Sequence, residues 1–384
     1  MRFEFASAGR TIFGQGVIAE LPALVKSFGA RVLVVTGSDR IRHAGLVGNL
    51  EASGCTCALF GVRGEPTVAI AQKGAGLARS RECQVVIAIG GGSAIDAGKA
   101  IAALAANPGE VLDYLEVVGR AKPLPNIPLP FIAVPTTAGT GSEVTRNAVL
   151  GSPEHSVKAS LRSNSMLPRI ALVDPELTYG LPPKLTASTG LDAVTQLIEP
   201  YVSNRANPAT DALCVDGLRN AAASLRRAYH DGGDIEARGR MSYASLLGGL
   251  ALANAGLGVV HGLAAPIGGM FDAPHGAICA AVLPHGMRAN IAALRERMPE
   301  SDALRRYETI ARVLTSDANA TPEAGADWIG QLVVDLNVPP LRTYGVTKFR
   351  LPEIAEKAAN ASSMKANPIP LTPPEISHVI ERAL

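Results

Sequence analysis

Two segments rich in glycine and hydroxyl residues have the composition of phosphate-binding loops. In the first, an apolar run ending at Ile89 is followed by Gly90-Gly91-Gly92-Ser93 and then by an Ala-rich helical stretch. Glycines let the backbone approach a pyrophosphate, and the free N–H groups at the start of a helix favour an anion. A simple tight turn would have the same composition, so this segment by itself leaves that alternative open.

The second segment, Pro135 to Thr145, also follows an apolar run and reads PTTAGTGSEVT. Its glycines and hydroxyls could enclose a phosphate and a ribose, although an ordinary Ser/Thr turn would look similar. Two such loops at successive strand ends together indicate a dinucleotide.

The sequence of the first half of the chain indicates the strands and helices that would position these loops. Short β-branched runs alternate there with Ala-rich helical stretches, which is the βαβ rhythm of a parallel sheet. The runs are Arg31 to Thr36, Cys57 to Phe60, Val85 to Ile89 and Phe131 to Val134. Loops at the carboxyl ends of such strands bind ligands. We therefore predict a Rossmann-like α/β dinucleotide-binding domain over residues 1–178.

After Asp174-Pro175-Glu176-Leu177 the β-rich runs give way to helical periodicity with abundant Ala and Leu. This predicts an all-α second domain over residues 179–384. The stretch from Tyr243 to Phe271 has no Asp, Glu, Lys or Arg and is long enough to cross a bilayer. Its many small residues, with His261 and Pro266 inside, suit buried helices better, so we expect no membrane span.

The composition narrows the class of protein further. A chain of 384 residues favours two domains, and a net charge of +2 without a basic run argues against nucleic-acid binding. Five scattered cysteines, an odd number, argue against a disulfide framework. With no signal-like apolar stretch at the N-terminus, we expect a cytoplasmic protein that acts on a small molecule.

The two loops, as they stand, resemble those of the iron-containing alcohol dehydrogenase family, whose fold is dehydroquinate synthase-like. The resemblance continues through the following segments: Asp96 and Lys99, Lys158, Asp174-Pro175, Thr189 to Ala193, Ile198-Glu199, and Pro274-His275-Gly276. It implies an NAD(P)-dependent oxidoreductase that interconverts a small alcohol and its aldehyde or ketone by hydride transfer. It also implies a homodimer.

The same resemblance assigns the nucleotide contacts. Gly91, Gly92 and Ser93 would meet the pyrophosphate. The residues expected around the rest of the nucleotide are Thr136, Thr137, Thr140 and Ser142, with Lys158 near the nicotinamide side.

The chain departs from the family at the adenosine end of the cofactor. Gly37 stands where NAD-preferring relatives often have an acid. Ser38 and Arg40 could contact a 2′-phosphate, whereas Asp39 could still hold the ribose of NAD. NAD and NADP both remain open.

Family members usually hold a divalent metal through one Asp and three His. Asp192, His261 and His275 match that set, but Gln196 stands in place of a histidine. Asp192 and Gln196 are four residues apart on one helix face, so the amide oxygen can still approach a metal. Two histidines and a carboxylate suit Fe²⁺, with Zn²⁺ as the alternative. We predict these four residues as the metal ligands and catalytic site.

A second departure is Ala265, where many relatives carry another histidine beside the nicotinamide. Ala cannot relay a proton, so the proton must leave by another route. Together with Gln196, this keeps two alternatives open: a metal-independent reductase resembling maleylacetate reductase, and a degenerate member that binds nucleotide without turnover. A lyase resembling dehydroquinate synthase is disfavoured because the motifs match the alcohol dehydrogenase branch.

Overall fold

The computed structural model describes residues 2–39, 41–155 and 157–384. They form two compact units: residues 6–137 with 141–178, and residues 179–384 with 2–5 and Ala138–Thr140. The regular elements of residues 179–384 are all helical, and the parallel sheet lies in the other unit. The predicted fold class is therefore confirmed.

The α/β unit contains a parallel sheet and a separate antiparallel hairpin, formed by β6 and β7. Its strands are β1 (Arg10–Phe13), β2 (Arg31–Thr36), β3 (Thr56–Gly61), β4 (Val85–Gly90), β5 (Phe131–Pro135), β6 (Asn147–Ser152), β7 (Val157–Arg162) and β8 (Ile170–Val173). The sheet order is β1-β8-β5-β4-β2-β3. Four of these strands follow the predicted runs; β1, β8 and the hairpin were not predicted.

Apolar residues cover both faces of the central strands, as expected of a parallel sheet flanked by helices. Along β2, Val32 and Val34 pack into one apolar cluster, while Leu33 and Val35 pack into another. The α-helices of this unit are α1 (Leu21–Lys26), α2 (Ala44–Ala52), α3 (Val68–Ser80), α4 (Gly92–Ala106) and α5 (Val111–Tyr114).

The strand order reverses between β2 and β4. From β2 the chain moves outward to β3, returns to β4 on the other side of β2, and continues to β5. Ligands of open α/β sheets bind at such a reversal, beyond the carboxyl ends of the strands. Gly37 follows β2 there and Gly90 ends β4, and a Cβ on Gly90 would lie 3.6 Å from the Gly37 amide nitrogen.

The helical unit surrounds one apolar core. Its helices are α6 (Pro183–Val202), α7 (Pro208–His230), α8 (Ile235–Ala255), α9 (Val259–Met270), α10 (His275–Arg297), α11 (Asp302–Thr315), α12 (Pro322–Asp335), α13 (Leu351–Ala359) and α14 (Pro373–Arg382). Three of them, α6, α9 and α10, carry the residues predicted to bind metal.

The uncharged stretch 243–271 folds as the end of α8 and all of α9, which are bent by 97° at the break between them. Helix α10 is long and apolar enough to cross a bilayer by length and composition alone. Its most apolar window is 78% buried inside the protein. Such burial is typical of the core helix of a globular unit.

Candidate functional site

Three helices bring together four side chains of types that can bind a metal. Asp192 lies on α6, His261 on α9, and His275 is the first residue of α10, one turn before Cys279. Residues four apart on a helix share a face, so His275 and Cys279 point to the same side of α10. One donor atom from each of the four side chains lies within 4.8 Å of all the others.

The spacing within this cluster is close and even. Asp192 Oδ1 lies 3.5 Å from His261 Nε2 and 3.7 Å from His275 Nε2. Cys279 Sγ lies 3.6 Å from His275 Nε2. The Asp192 and His261 side chains are 2% and 6% exposed, whereas that of His275 is 37% exposed. The cluster is thus enclosed except on the side of His275.

Three buried polar atoms in or beside the cluster have no hydrogen-bond partner among the described residues: Asp192 Oδ1, His261 Nε2 and, on the adjoining turn of α6, Gln196 Oε1. The 3.5 Å between Asp192 Oδ1 and His261 Nε2 is too long for a good hydrogen bond. An unsatisfied buried polar group costs about 1–3 kcal/mol. Two of these atoms, Asp192 Oδ1 and His261 Nε2, belong to the four-residue cluster, and unpaired electron-pair donors this close together fit a bound cation.

Gln196 contacts the cluster through its amide nitrogen. Gln196 Nε2 donates to Asp192 Oδ2 over 3.1 Å, which turns the other oxygen, Oδ1, toward the two histidines. This bond shows how Gln196 orients the carboxylate. That Gln196 also binds a metal through its carbonyl oxygen stays a prediction.

Glu199 belongs to the site but was given no role from the sequence. Its Oε2 accepts a hydrogen bond from His261 Nδ1 over 2.7 Å, and its Oε1 accepts from the Val260 N–H, also over 2.7 Å. A histidine that donates through Nδ1 presents Nε2 as an electron-pair donor, which is the usual support for a metal-binding imidazole. Glu199 follows Asp192 by seven residues, or about two helical turns, so helical spacing places it on the same face of α6 as Asp192.

The electrostatics of the cluster favour positive charge. Burial opposes protonation of His261, but Asp192 and Glu199 outweigh it and raise the pKa of His261 to about 10. Burial likewise opposes ionisation of Asp192, yet His275 and His261 hold its pKa below the usual value. Burial, with Asp192 and Glu199, raises the pKa of the Cys279 thiol well above its usual value. A bound divalent cation takes over the role of such protons and promotes thiolate formation.

In the α/β unit, the two predicted phosphate loops are adjacent. The Thr136 N–H donates to the Gly90 carbonyl over 3.0 Å, and a Cβ on Gly91 would lie 3.3 Å from Thr137 Cγ2. Helix α4 begins at Gly92, so Ser93 lies in its first turn, and Gly91 offers no side chain to cap it. A bare backbone at a helix start fits a pyrophosphate.

Lys99 fixes the second loop and was given no role from the sequence. Its buried ammonium donates to the Ser142 carbonyl over 3.0 Å, to Thr145 Oγ1 over 2.9 Å and to the Asn147 carbonyl. It also lies 3.2 Å from Asp96 Oδ1, one turn earlier on α4. Lys99 therefore ties α4 to the end of the second loop and to Asn147, which follows the loop.

The remaining predicted residues lie as follows. A Cβ on Gly37 would meet no atom within 4 Å, and Asp39 Oδ1 accepts a hydrogen bond from the Arg42 N–H over 3.2 Å. Lys158, on β7, forms an ion pair with Glu65. Thr140 is grouped with the helical unit, and Arg40 lies outside the described residues. The nucleotide contacts proposed for these residues stay predictions.

Both parts of the chain match models of one protein family. The model described as iron-containing alcohol dehydrogenase matches residues 8–175, and that of the C-terminal part of the Fe-containing alcohol dehydrogenase family matches residues 186–384. Alcohol dehydrogenase 4 of Schizosaccharomyces pombe is 37% identical over 97% of this chain and 87% of its own length. The 1,3-propanediol dehydrogenase of Klebsiella pneumoniae is 37% identical over 94% of this chain and 90% of its own.

Solved structures agree over the full length. The crystal structure of a 1,3-propanediol oxidoreductase superposes with a TM-score of 0.92 at 33% identity, covering 100% of both chains. That of sulfoacetaldehyde reductase from Bifidobacterium kashiwanohense, in complex with NAD⁺, gives a TM-score of 0.87 at 28% identity, covering 100% of this chain and 99% of that one.

Proposed function

The chain belongs to the iron-containing alcohol dehydrogenase family, and we propose that its α/β unit binds NAD(P)(H) while its helical unit holds the divalent metal used with a small alcohol or aldehyde. It is an oxidoreductase that interconverts alcohols and carbonyl compounds by hydride transfer with a nicotinamide cofactor. The proposal concerns which residues of this chain do the work and which cofactor they accept.

The observation that carries the proposal is the set of orphaned buried atoms between α6, α9 and α10. Asp192, His261 and His275 would hold the cation there. A divalent cation at this position would polarise the oxygen of the substrate. Gln196 holds the Asp192 carboxylate and Glu199 holds the His261 ring, so the donors are oriented before the metal binds.

The nucleotide side of the proposal rests on the strand-order reversal. Gly91, Gly92 and Ser93 would bind the pyrophosphate at the start of α4, and Thr136, Thr137 and Ser142 would contact the adjoining nucleotide. Lys99 supports this arrangement without touching the cofactor, because its three acceptors fix the backbone around Ser142. The further contacts proposed are those of Thr140 and Lys158.

The main test measures turnover and metal together. Protein purified without chelator is analysed for bound metals and assayed for NADH and NADPH oxidation with short aldehydes and ketones, and for the reverse reaction with alcohols that include 1,3-propanediol. We expect activity to disappear when the metal is removed and to return when it is restored. Full activity without metal would instead identify a metal-independent reductase. Nucleotide binding without turnover on the whole panel would identify a degenerate member.

We also propose that the adenosine end accepts NADP(H). Gly37 places no carboxylate where the 2′-phosphate would lie, and Asp39 is engaged by the Arg42 amide. Gly37→Asp restores the acid in a position with open space, so it should fold normally. Repulsion of a carboxylate from a phosphate should lower kcat/KM for NADPH relative to NADH by about 10- to 100-fold. An unchanged ratio would show that Gly37 does not adjoin the 2′-position.

A further inference from the structure

We infer that Cys279 is a fourth metal donor, and that the set Asp192, His261, His275 and Cys279 selects zinc over ferrous iron. The inference rests on the proposed metal site and goes beyond it by adding a ligand and naming the ion. It replaces the donor lost at Gln196 with one from a different helix.

The first support is the spacing of the donor atoms. Tetrahedral zinc with bonds of about 2.0–2.3 Å to oxygen, nitrogen and sulfur places neighbouring donors about 3.3–3.8 Å apart. Three of the donor separations are 3.5 Å, 3.7 Å and 3.6 Å, the last of them between Cys279 Sγ and His275 Nε2. The separation of Cys279 from His275 is thus the one expected between two ligands of a tetrahedral ion, and its separations from the other donors are within 4.8 Å.

The second support is the orientation of Gln196. Its amide nitrogen is committed to Asp192 Oδ2, which places Gln196 beside the carboxylate on its own helix. Cys279 approaches from α10, where it shares a face with His275. The sulfur and the orphaned atoms Asp192 Oδ1 and His261 Nε2 therefore converge from three helices.

The third support is the nature of the donors. A thiolate with two imidazoles and one carboxylate is softer than a set built from oxygen and nitrogen alone, and such sets favour zinc. Catalytic zinc sites can expand to five ligands. The exposed side of the cluster, next to the half-buried His275, leaves room for a substrate oxygen.

The test uses cobalt as a spectroscopic substitute for zinc in the full-length protein. Cobalt bound by a thiolate shows a strong near-ultraviolet charge-transfer band that oxygen and nitrogen donors do not give. We expect this band in the wild type at one cobalt per chain. Cys279→Ser should lose the band while it still binds cobalt, because serine keeps the size of the side chain but removes the sulfur.

Cys214→Ser is the matched control, because Cys214 is equally buried but lies on α7 and is not part of the cluster. It should keep the band. A cobalt-loaded wild type without the band, or a Cys279→Ser protein that retains it, would overturn the inference. Cys279→Ala repeats the test should the serine variant fold poorly, with the thermal transition of each variant as the check on folding.

A competition experiment tests the selection of zinc. With equal zinc and ferrous iron supplied without oxygen, the wild type should take up mainly zinc, and Cys279→Ser should lower the zinc-to-iron ratio about 10-fold or more. An unchanged ratio would refute the selectivity.

Assays of NAD(P)H oxidation on the same samples distinguish failure of this inference from failure of the proposed function. Turnover with bound metal but no thiolate band would refute only this inference. A thiolate band without turnover would refute only the proposed function.

Discussion

Two buried charged clusters, one around Lys99 and one around Asp192, differ in where their counter-charge comes from. In the α/β unit, the Lys99 ammonium is surrounded by backbone carbonyls, a hydroxyl and the Asp96 carboxylate. In the helical unit, Asp192 and His261 each present an atom with no hydrogen-bond partner among the described residues. The first cluster contains its own cation, whereas the second has the donors for a cation that must be supplied.

This difference identifies the Lys99 cluster as structural and the Asp192 cluster as a candidate binding site. Both clusters are buried and both have perturbed pKa values, so neither burial nor titration distinguishes them. The presence of a cation within the chain does: Asp96 Oδ1 also lacks a hydrogen bond but lies 3.2 Å from the Lys99 ammonium, whereas Asp192 Oδ1 lies 3.5 Å and 3.7 Å from histidine nitrogens. Unsatisfied buried atoms are tolerated where a ligand completes them. A response of the Lys99 cluster to metal, or the lack of one in the Asp192 cluster, would contradict this distinction.

The largest expected effect follows from removing the negative charge of Asp192 from the Asp192 cluster. Asp192→Asn keeps the shape of the side chain but removes the anionic donor, so kcat/KM should fall about 1000-fold, or about 4 kcal/mol in the barrier. At a metal concentration 100 times its Kd, chelation should cost the wild type about 2.7 kcal/mol of stability. Chelation should leave the thermal transition of Asp192→Asn unchanged. A chelator-insensitive wild type would contradict the comparison.

The next largest effect is expected from substitution of Lys99, the cation of the cluster in the α/β unit. Lys99→Met fills the same volume but leaves Asp96 and the carbonyls around Ser142 without their donor, so the free energy of unfolding should fall by about 3 kcal/mol or more. The loss should be the same with and without chelator. Lys73→Met, an exposed lysine on α3 of the same unit, should change stability by less than about 1 kcal/mol. Urea titrations measure both, and equal losses in the two variants would refute a structural role for Lys99.

The sequence predicted four strands of the sheet and missed β1 and β8. The missed strand β8 is apolar and buried but only four residues long. β4 and β5 are buried throughout and stood out as apolar runs, whereas β1 is four residues long and largely exposed. β1 pairs with β8, which lies about 160 residues later in the chain. Such a pairing depends on tertiary contacts that no local pattern records.

Sequence reasoning also identified only some of the residues of the two clusters. Asp192, His261 and His275 were identified by resemblance, and the structure brings them together. Cys279 and Glu199 were within reach of helical spacing, four residues after His275 and seven after Asp192, but spacing alone does not say which helices meet. Lys99 was recognised only as part of a motif. Most of its acceptors are backbone carbonyls, which every residue has, so the sequence does not reveal them.

The smallest expected effect concerns Glu143, a buried carboxyl that interacts with the charge of Lys99. Glu143 is 2% exposed, and burial raises its pKa from 4.5 to about 7, although its own backbone and Lys99 oppose the shift. A carboxyl whose pKa is raised on folding is stabilised while protonated, so its contribution is complete below pH 4.5 and is lost as the pH rises through 7. Glu143→Gln remains neutral at every pH and should not incur this loss.

We therefore expect wild type and Glu143→Gln to have similar free energies of unfolding near pH 4.5 and to separate as the pH rises to 8. The variant should become the more stable by an amount on the order of 1–3 kcal/mol. Glu110→Gln, at an exposed position of the same unit, should follow the wild type at each pH. A difference that stays constant between pH 5 and 8 would show that Glu143 does not ionise in this range. Lys99 would then stabilise only the carbonyls and the Asp96 carboxylate, and not an ionised Glu143.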